Sequence, residues 1–176
     1  MLKAASVGQR QLCRGQGAEL VWQQNPAPLK SVEVLDIFRK KTAPAFEVAL
    51  RLGAIYAGEE QHEEVSEILS AYSENLGIAY QIRDDLSDLG AEGETNDLAG
   101  LRPSLLLAIG HERAKDEQKE IVASVWRRQL PENMTFADIE AMYTDLKAID
   151  RADTLLATYK EESIRSLREL ENANLK

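Results

Sequence analysis

Three carboxylates fall within five residues, Asp84, Asp85 and Asp88, at the end of a segment with a clear helical period. Its apolar residues Val65, Ile68, Leu69, Tyr72, Leu76 and Ala79 recur at three- and four-residue steps, which predicts a helix from Glu59 to about Asp88. On that helix Gln81, Asp84, Asp85 and Asp88 stand at i, i+3, i+4 and i+7 and share one face. Like charges at this spacing repel one another. The chain must therefore solvate that face or bring a cation to it. Periodicity alone favours solvation, because the apolar stripe points roughly the other way. The alternative is a hard cation: Mg²⁺ is held by one or two carboxylates together with waters and substrate phosphate oxygens. Gly77, one turn before Gln81, leaves that face open where a ligand could approach.

The rest of the composition narrows the class. A chain of 176 residues suits a single domain, 1–176, with a real core. Ten glycines, five prolines and few aromatics suit helices better than sheets, and no alternating strand pattern of useful length is present. The expected class is all-α, an antiparallel helical bundle. A net charge of −9 argues against a nucleic-acid partner, which would require a basic footprint. Cys13 is the sole cysteine, which excludes an internal disulfide and points to a reducing compartment. There is no apolar run long enough to span a bilayer and no signal-peptide pattern, so the expected location is cytoplasmic.

Taken in order, residues 2 to about 24 read as an amphipathic helix with Leu2, Ala5, Leu12, Cys13 and Leu20 as its apolar stripe. Gln9 and Gln16 interrupt that stripe and Glu19 borders it. Residues 23–29, with Pro26 and Pro28, read as a loop. Ser31 is a capping residue for a helix running to about Ala57, with Leu35, Phe38, Ala45, Phe46, Ala49 and Leu50 on its buried side. Within it Arg39, Lys40 and Lys41 diverge around the wheel. Lys40 points away from the stripe, while Lys41 and Thr42 lie on or beside it, and a buried ammonium calls for an anionic partner. Pro44 cannot donate to the carbonyl of Lys40, so a kink is expected there. His62 reads as a solvated residue. Residues 90–100 read as an acidic loop, and residues 103–176 as three or four further helices. One is marked by Ile121, Val122, Val125 and Trp126. Another opens with Thr135 and Asp138 in capping-box spacing, and a last long one runs through Ala152, Leu156, Tyr159, Ser163, Leu167 and Leu170.

Four segments together resemble one family. Gly77 to Asp88, Gly-Ile-Ala-Tyr-Gln-Ile-Arg-Asp-Asp-Leu-Ser-Asp, resembles the second aspartate-rich motif of trans-isoprenyl diphosphate synthases, with Tyr80 in the aromatic position. Gly15-Gln16-Gly17-Ala18-Glu19 is similar to the family's Gly-Gln-x-x-Asp, with glutamate in the acidic position. Lys41-Thr42 resembles its Lys-Thr segment, and Asp97 to Leu105 resembles Asp-Leu-x-x-Gly-Lys-x-Thr-Leu with Arg102 and Ser104 substituted. The motifs occur in the family's order over about residues 1–110. The loop 90–100 departs from the family in having no lysine.

The resemblance implies the all-α isoprenoid synthase fold and a prenyltransferase of isoprenoid biosynthesis. It implies Mg²⁺-dependent head-to-tail condensation of isopentenyl diphosphate with an allylic diphosphate. By the same carry-over Asp84, and less directly Asp85 and Asp88, hold Mg²⁺ or the diphosphate network. Lys41 and Gln81 are the catalytic residues, and Lys41, Thr42, Gln81, Arg102 and Gln16 bind substrate. The family's first aspartate-rich motif would precede Met1, so the chain is expected to correspond to the C-terminal half of such an enzyme and to be inactive alone. A homo-oligomer or a complementary N-terminal part is the expected partner. The competing reading is a non-catalytic helical subunit or interaction module regulating a full-length synthase.

Overall fold

The computed structural model describes residues 1–58, 63–89, 102–127, 129–132 and 134–170. The expected loop at 90–100 and His62 lie outside them. The described residues contain no strand. They form α1 (Leu2–Gln24), α2 (Ser31–Ala57), α3 (Glu63–Ser87), α4 (Leu105–Arg113), α5 (Asp116–Trp126), α6 (Phe136–Asp145) and α7 (Ala148–Ser166), followed by a short 3-10 turn at Leu167–Glu169. This is the all-α class the sequence predicts. No helix among the described residues is long and apolar enough to cross a membrane. The chain divides into two compact units. One comprises Met1–Gly17, Phe38–Gln81 and Leu156–Lys176, and the other Ala18–Ile37 and Ile82–Leu155.

In the first unit the backbone of α2 is approached closely from two sides. A Cβ on Gly77 of α3 would lie 2.7 Å from the amide nitrogen of Ala43, and one on Gly15 of α1 would lie 2.7 Å from that of Lys41 and closer still to the carbonyl of Lys40. Neither distance is compatible with a side chain, so both glycines are there to let helices touch. The carbonyl approached by Gly15 is the one that Pro44 leaves without its helical donor, although α2 runs on through that proline. Gly8, two turns before Gly15, would drive a Cβ into Val48. These contacts overturn two expectations. Gly77 is open to the backbone of α2, not to a ligand. And the predicted apolar stripe of α1 does not face the core: Leu2 is 88% exposed, and Leu20 and Cys13 are exposed as well. Helix α1 buries glycines, which carry no hydrophobic signal.

Phe46 and Tyr80 meet edge to face with ring centroids 6.1 Å apart, joining α2 to α3. Ala54 and Ile55 line a cavity of about 430 Å³ together with Val65 and Leu69. With Ala43 against Gly77 at the other end, α2 and α3 run antiparallel. Phe38, Ala43, Ala54, Ile68, Leu69, Ile78 and Ala79 are the buried apolar residues of this unit's helices.

The second unit is built around α4, whose residues Leu105 to Gly110 are all buried. A helix apolar on every side must be enclosed. Tyr143 of α6 lies against Gly110, and Trp126 of α5 is buried edge to face on Trp22, centroids 5.5 Å apart. Arg113 donates from Nη1 to the carbonyls of Leu146 and Lys147, at 3.0 and 2.8 Å, fastening the turn between α6 and α7. In that turn Lys147 adopts φ 52°, the left-handed region. The capping box at α6 forms as its spacing predicts: the Thr135 amide donates to Asp138 Oδ2 at 2.7 Å, and the Asp138 amide to Thr135 Oγ1 at 3.3 Å.

Helix α2 begins one residue earlier in role than expected. Glu33 reaches back to the Lys30 amide at 2.7 Å, and Ser31, inside the helix, donates both its amide and its hydroxyl to Glu112. An acid from α4 thus caps α2 across 81 residues of sequence.

Candidate functional site

The residues singled out by the sequence divide between the two units. Gln16, Lys41, Thr42 and Gln81 belong to the first. Asp84, Asp85, Asp88 and Arg102 belong to the second.

In the first unit Lys41 and Thr42 are half-buried and Lys40 is exposed, as the helical wheel requires. Their turn is the one pinned between Gly15 and Gly77, so direct helix contact holds its backbone. Gln16 follows Gly15 and is exposed, on the turn of α1 that abuts Lys40 and Lys41. Gln81 is half-buried near the end of α3, next to the Tyr80 ring that packs on Phe46. Lys40 lines a separate cleft of about 270 Å³ with Arg14, Arg39, Glu47 and Glu74. Its charges are mixed, and Arg39 pairs with Glu74 at 3.8 Å.

In the second unit the three acids have different surroundings. Asp84 is exposed. Asp88 lies one turn on, half-buried, with its amide bonded to the carbonyl of Asp84 at 3.1 Å, so the helical turn continues to it. Asp85 is only 4% exposed. Its Oδ2 accepts from the amides of Leu105 at 2.6 Å and Leu106 at 3.1 Å. Residues i and i+1 are about 100° apart on a helix. Burial divides the acidic face expected for all three: Asp84 and Asp88 reach the surface, whereas Asp85 is enclosed.

A buried carboxylate must be compensated. Here two amides and the positive end of the α4 macrodipole compensate it. Ser104 completes the cap: its Oγ accepts from the Leu107 amide at 3.2 Å. Sequence reasoning passed over this arrangement. Ser104 ahead of an apolar run was its visible half, whereas the other half is backbone. Tyr143 lies close enough for the Asp85 charge to act on it. Burial first, then the negative charges of Asp85 and Glu140, push its phenol well above the ordinary range. Arg102 is exposed, three residues before Leu105 and separated from Ser104 by the buried Pro103.

Among the described residues no group of three or more His, Cys, Asp or Glu side chains could hold a metal ion. Asp84 and Asp88, one turn apart at the surface, are a donor set of the size Mg²⁺ takes when phosphate and water complete its shell.

A sequence profile of the polyprenyl synthetase family matches residues 1–146. The geranylgeranyl diphosphate synthase of Sulfolobus acidocaldarius is 27% identical over 168 residues, covering 90% of this chain and 49% of that protein. A polyprenyl synthase structure from Roseobacter denitrificans superposes with a TM-score of 0.85 at 22% identity, over 99% of this chain and 58% of that one. A geranylgeranyl pyrophosphate synthase of Corynebacterium glutamicum, crystallised in complex with isoprenyl diphosphate and magnesium, superposes at 0.76 and 21% identity, over 98% and 50%. The chain spans about half the length of the curated relatives it matches over most of its own length. The family profile takes in every candidate residue from Gln16 to Arg102, and the chain belongs to the polyprenyl synthetase family.

Proposed function

We propose that this chain serves prenyl transfer: the Mg²⁺-dependent condensation of isopentenyl diphosphate with an allylic diphosphate. The observation that carries the reading is the family match over residues 1–146, which contains all the candidate residues. Asp84 and Asp88 would hold Mg²⁺, which when bound draws negative charge from the diphosphate as it leaves. Lys41 in the first unit and Arg102 in the second each offer a fixed cation suited to phosphate oxygens, Arg102 with a planar fork. Thr42 and Gln81 present neutral dipoles and so orient substrate without neutralising it. Gln16 is a further hydrogen-bonding group for substrate.

The chain carries one aspartate-rich motif. Ionising an allylic diphosphate requires several positive charges around the leaving group in a water-poor site. Alone, the 176-residue chain is expected to bind diphosphate without steady turnover. A partner reading has its own support, because α1 exposes Leu2, Val7, Leu20 and Val21. Such a face suits association with a second copy or with a complementary chain.

The test is binding of inorganic pyrophosphate by calorimetry, with and without Mg²⁺. Binding should depend on Mg²⁺. Lys41→Ala should weaken it by about 1.5–3 kcal/mol, the scale of a hydrogen bond to a charged group, while Lys40→Ala leaves it nearly unchanged. Equal losses from the two lysines, or no Mg²⁺ dependence, would overturn the assignment.

A further inference from the structure

The second acid of the motif is engaged elsewhere. Leu105 and Leu106 are almost wholly buried, and their amides are among the donors that a helix start leaves without intrahelical partners. Asp85 Oδ2 takes both, and Ser104 takes that of Leu107. Drawing Asp85 away to a metal would strand two buried amides in an apolar helix. Both amides are bound by the same oxygen, Oδ2, so a metal that took that oxygen would displace the two donors.

The contact also fixes what precedes α4. Ser104 is extended, with φ −106° and ψ 133°, and Pro103 has a locked φ. Only two residues, Pro103 and Ser104, therefore separate Arg102 from the Leu105 amide held by Asp85, with few free rotations among them. Asp84 is the neighbour of Asp85 on α3.

We propose that Asp85 is a positioning residue and not a metal ligand: by gripping the first two amides of α4 it sets Arg102 relative to Asp84. This rests on the diphosphate-binding reading given above. Asp84 and Arg102 touch the ligand, while Asp85 acts through α4.

The experiment uses the whole chain with Asp84→Asn, Asp85→Asn, Asp85→Ala, Arg102→Ala and the Asp85→Ala/Arg102→Ala pair. Mg²⁺ and inorganic pyrophosphate are the probes, and amide exchange at Leu105 and Leu106 is followed by NMR. Asp85→Asn, which keeps an acceptor oxygen, should hold the Mg²⁺ midpoint within about twofold of wild type, whereas Asp84→Asn shifts it by about tenfold or more. Asp85→Ala should speed exchange at both amides by about tenfold and weaken pyrophosphate binding at saturating Mg²⁺ by a similar factor. In the Arg102→Ala background the further loss should nearly vanish, because coupled residues are not additive. A Mg²⁺ midpoint displaced as far by Asp85→Asn as by Asp84→Asn would overturn the proposal, and so would additive losses in the pair. Unchanged exchange in Asp85→Ala would overturn the contact itself. Absence of Mg²⁺-dependent pyrophosphate binding by the wild-type chain would overturn the functional reading and this proposal together. Exchange at the two amides would then still report whether Asp85 holds α4.

Discussion

Alanine at Gly15 and alanine at Gly17 should change stability in opposite directions. The two glycines are two residues apart in α1, and replacing glycine inside a helix ordinarily stabilises by about 0.5–1 kcal/mol through the unfolded chain. At Gly17 nothing lies within 4 Å of the added methyl, so the gain should appear in full. At Gly15 the methyl would stand 2.7 Å from the amide nitrogen of Lys41, at least 0.7 Å inside the 3.4 Å where ordinary contact begins, and nearer still to the Lys40 carbonyl. Both obstructing groups are backbone, so no rotamer change relieves them. Helix α1 must move off α2, and overpacking of this kind costs about 1–3 kcal/mol. Setting that against the intrinsic gain leaves Gly15→Ala less stable by about 0.5–2 kcal/mol. For a chain of this length each kcal/mol moves Tm by about 2–4 °C. Urea and thermal unfolding, followed by circular dichroism at 222 nm, resolve effects of that size. Gly77→Ala should behave like Gly15→Ala, given its 2.7 Å approach to Ala43. Stabilisation by alanine at Gly15, equal to that at Gly17, would refute the close approach of α1 to α2 and with it the account of how Lys41 and Thr42 are held.

Three other measurements probe the second unit. Lys147→Gly should stabilise by about 1 kcal/mol, because a non-glycine residue at φ 52° carries roughly that strain and the Arg113 contacts use only the backbone carbonyls; a loss in urea midpoint would contradict it. Tyr143→Phe should be neutral or stabilising by up to about 1 kcal/mol, since the buried hydroxyl has no hydrogen-bond partner among the described residues; a clear loss of stability would mean that the hydroxyl is bonded. Asp138 has its carboxyl held below the usual range by hydrogen bonds from the Thr135 amide and hydroxyl. A depressed carboxyl stabilises fully above its unfolded value, 3.8, and loses that contribution as pH falls through the lower folded value. The stability gap between wild type and Asp138→Ala should therefore be constant near neutrality and narrow in acid, and a gap that widens on acidification would reverse the sign of this argument.

What the sequence made legible depended on whether the information sat in side chains. The helical period of residues 65–79 and the Thr135–Asp138 spacing led directly to α3 and to the cap of α6. The wheel also placed Lys41 inward of Lys40. The buried face of α1 was illegible because glycine contributes nothing to a hydrophobic pattern, and three of the five residues in the visible pattern, Leu2, Cys13 and Leu20, are exposed. Helix α4 gave no period because its first six residues, Leu105 to Gly110, are apolar or glycine and enclosed on every side. Asp85 was read with Asp84 and Asp88 because its partners are backbone amides twenty residues away, which have no sequence signature.

The seating of Gly15 against Lys40 also fixes how far α1 can slide along α2. A displacement by one helical turn, about 5.4 Å, would bring Gln11, Leu12, Ala18 or Glu19 to the place Gly15 occupies. Each of these carries a Cβ where the backbone of α2 leaves no volume for one. The two helices therefore have one register within a turn on either side, specified by a missing atom and not by an attraction. Outward positions of α1 are free to change without loosening it. Deleting a single residue between Gly8 and Gly15 would be far more damaging, because the two gaps in the side-chain row could no longer meet α2 together.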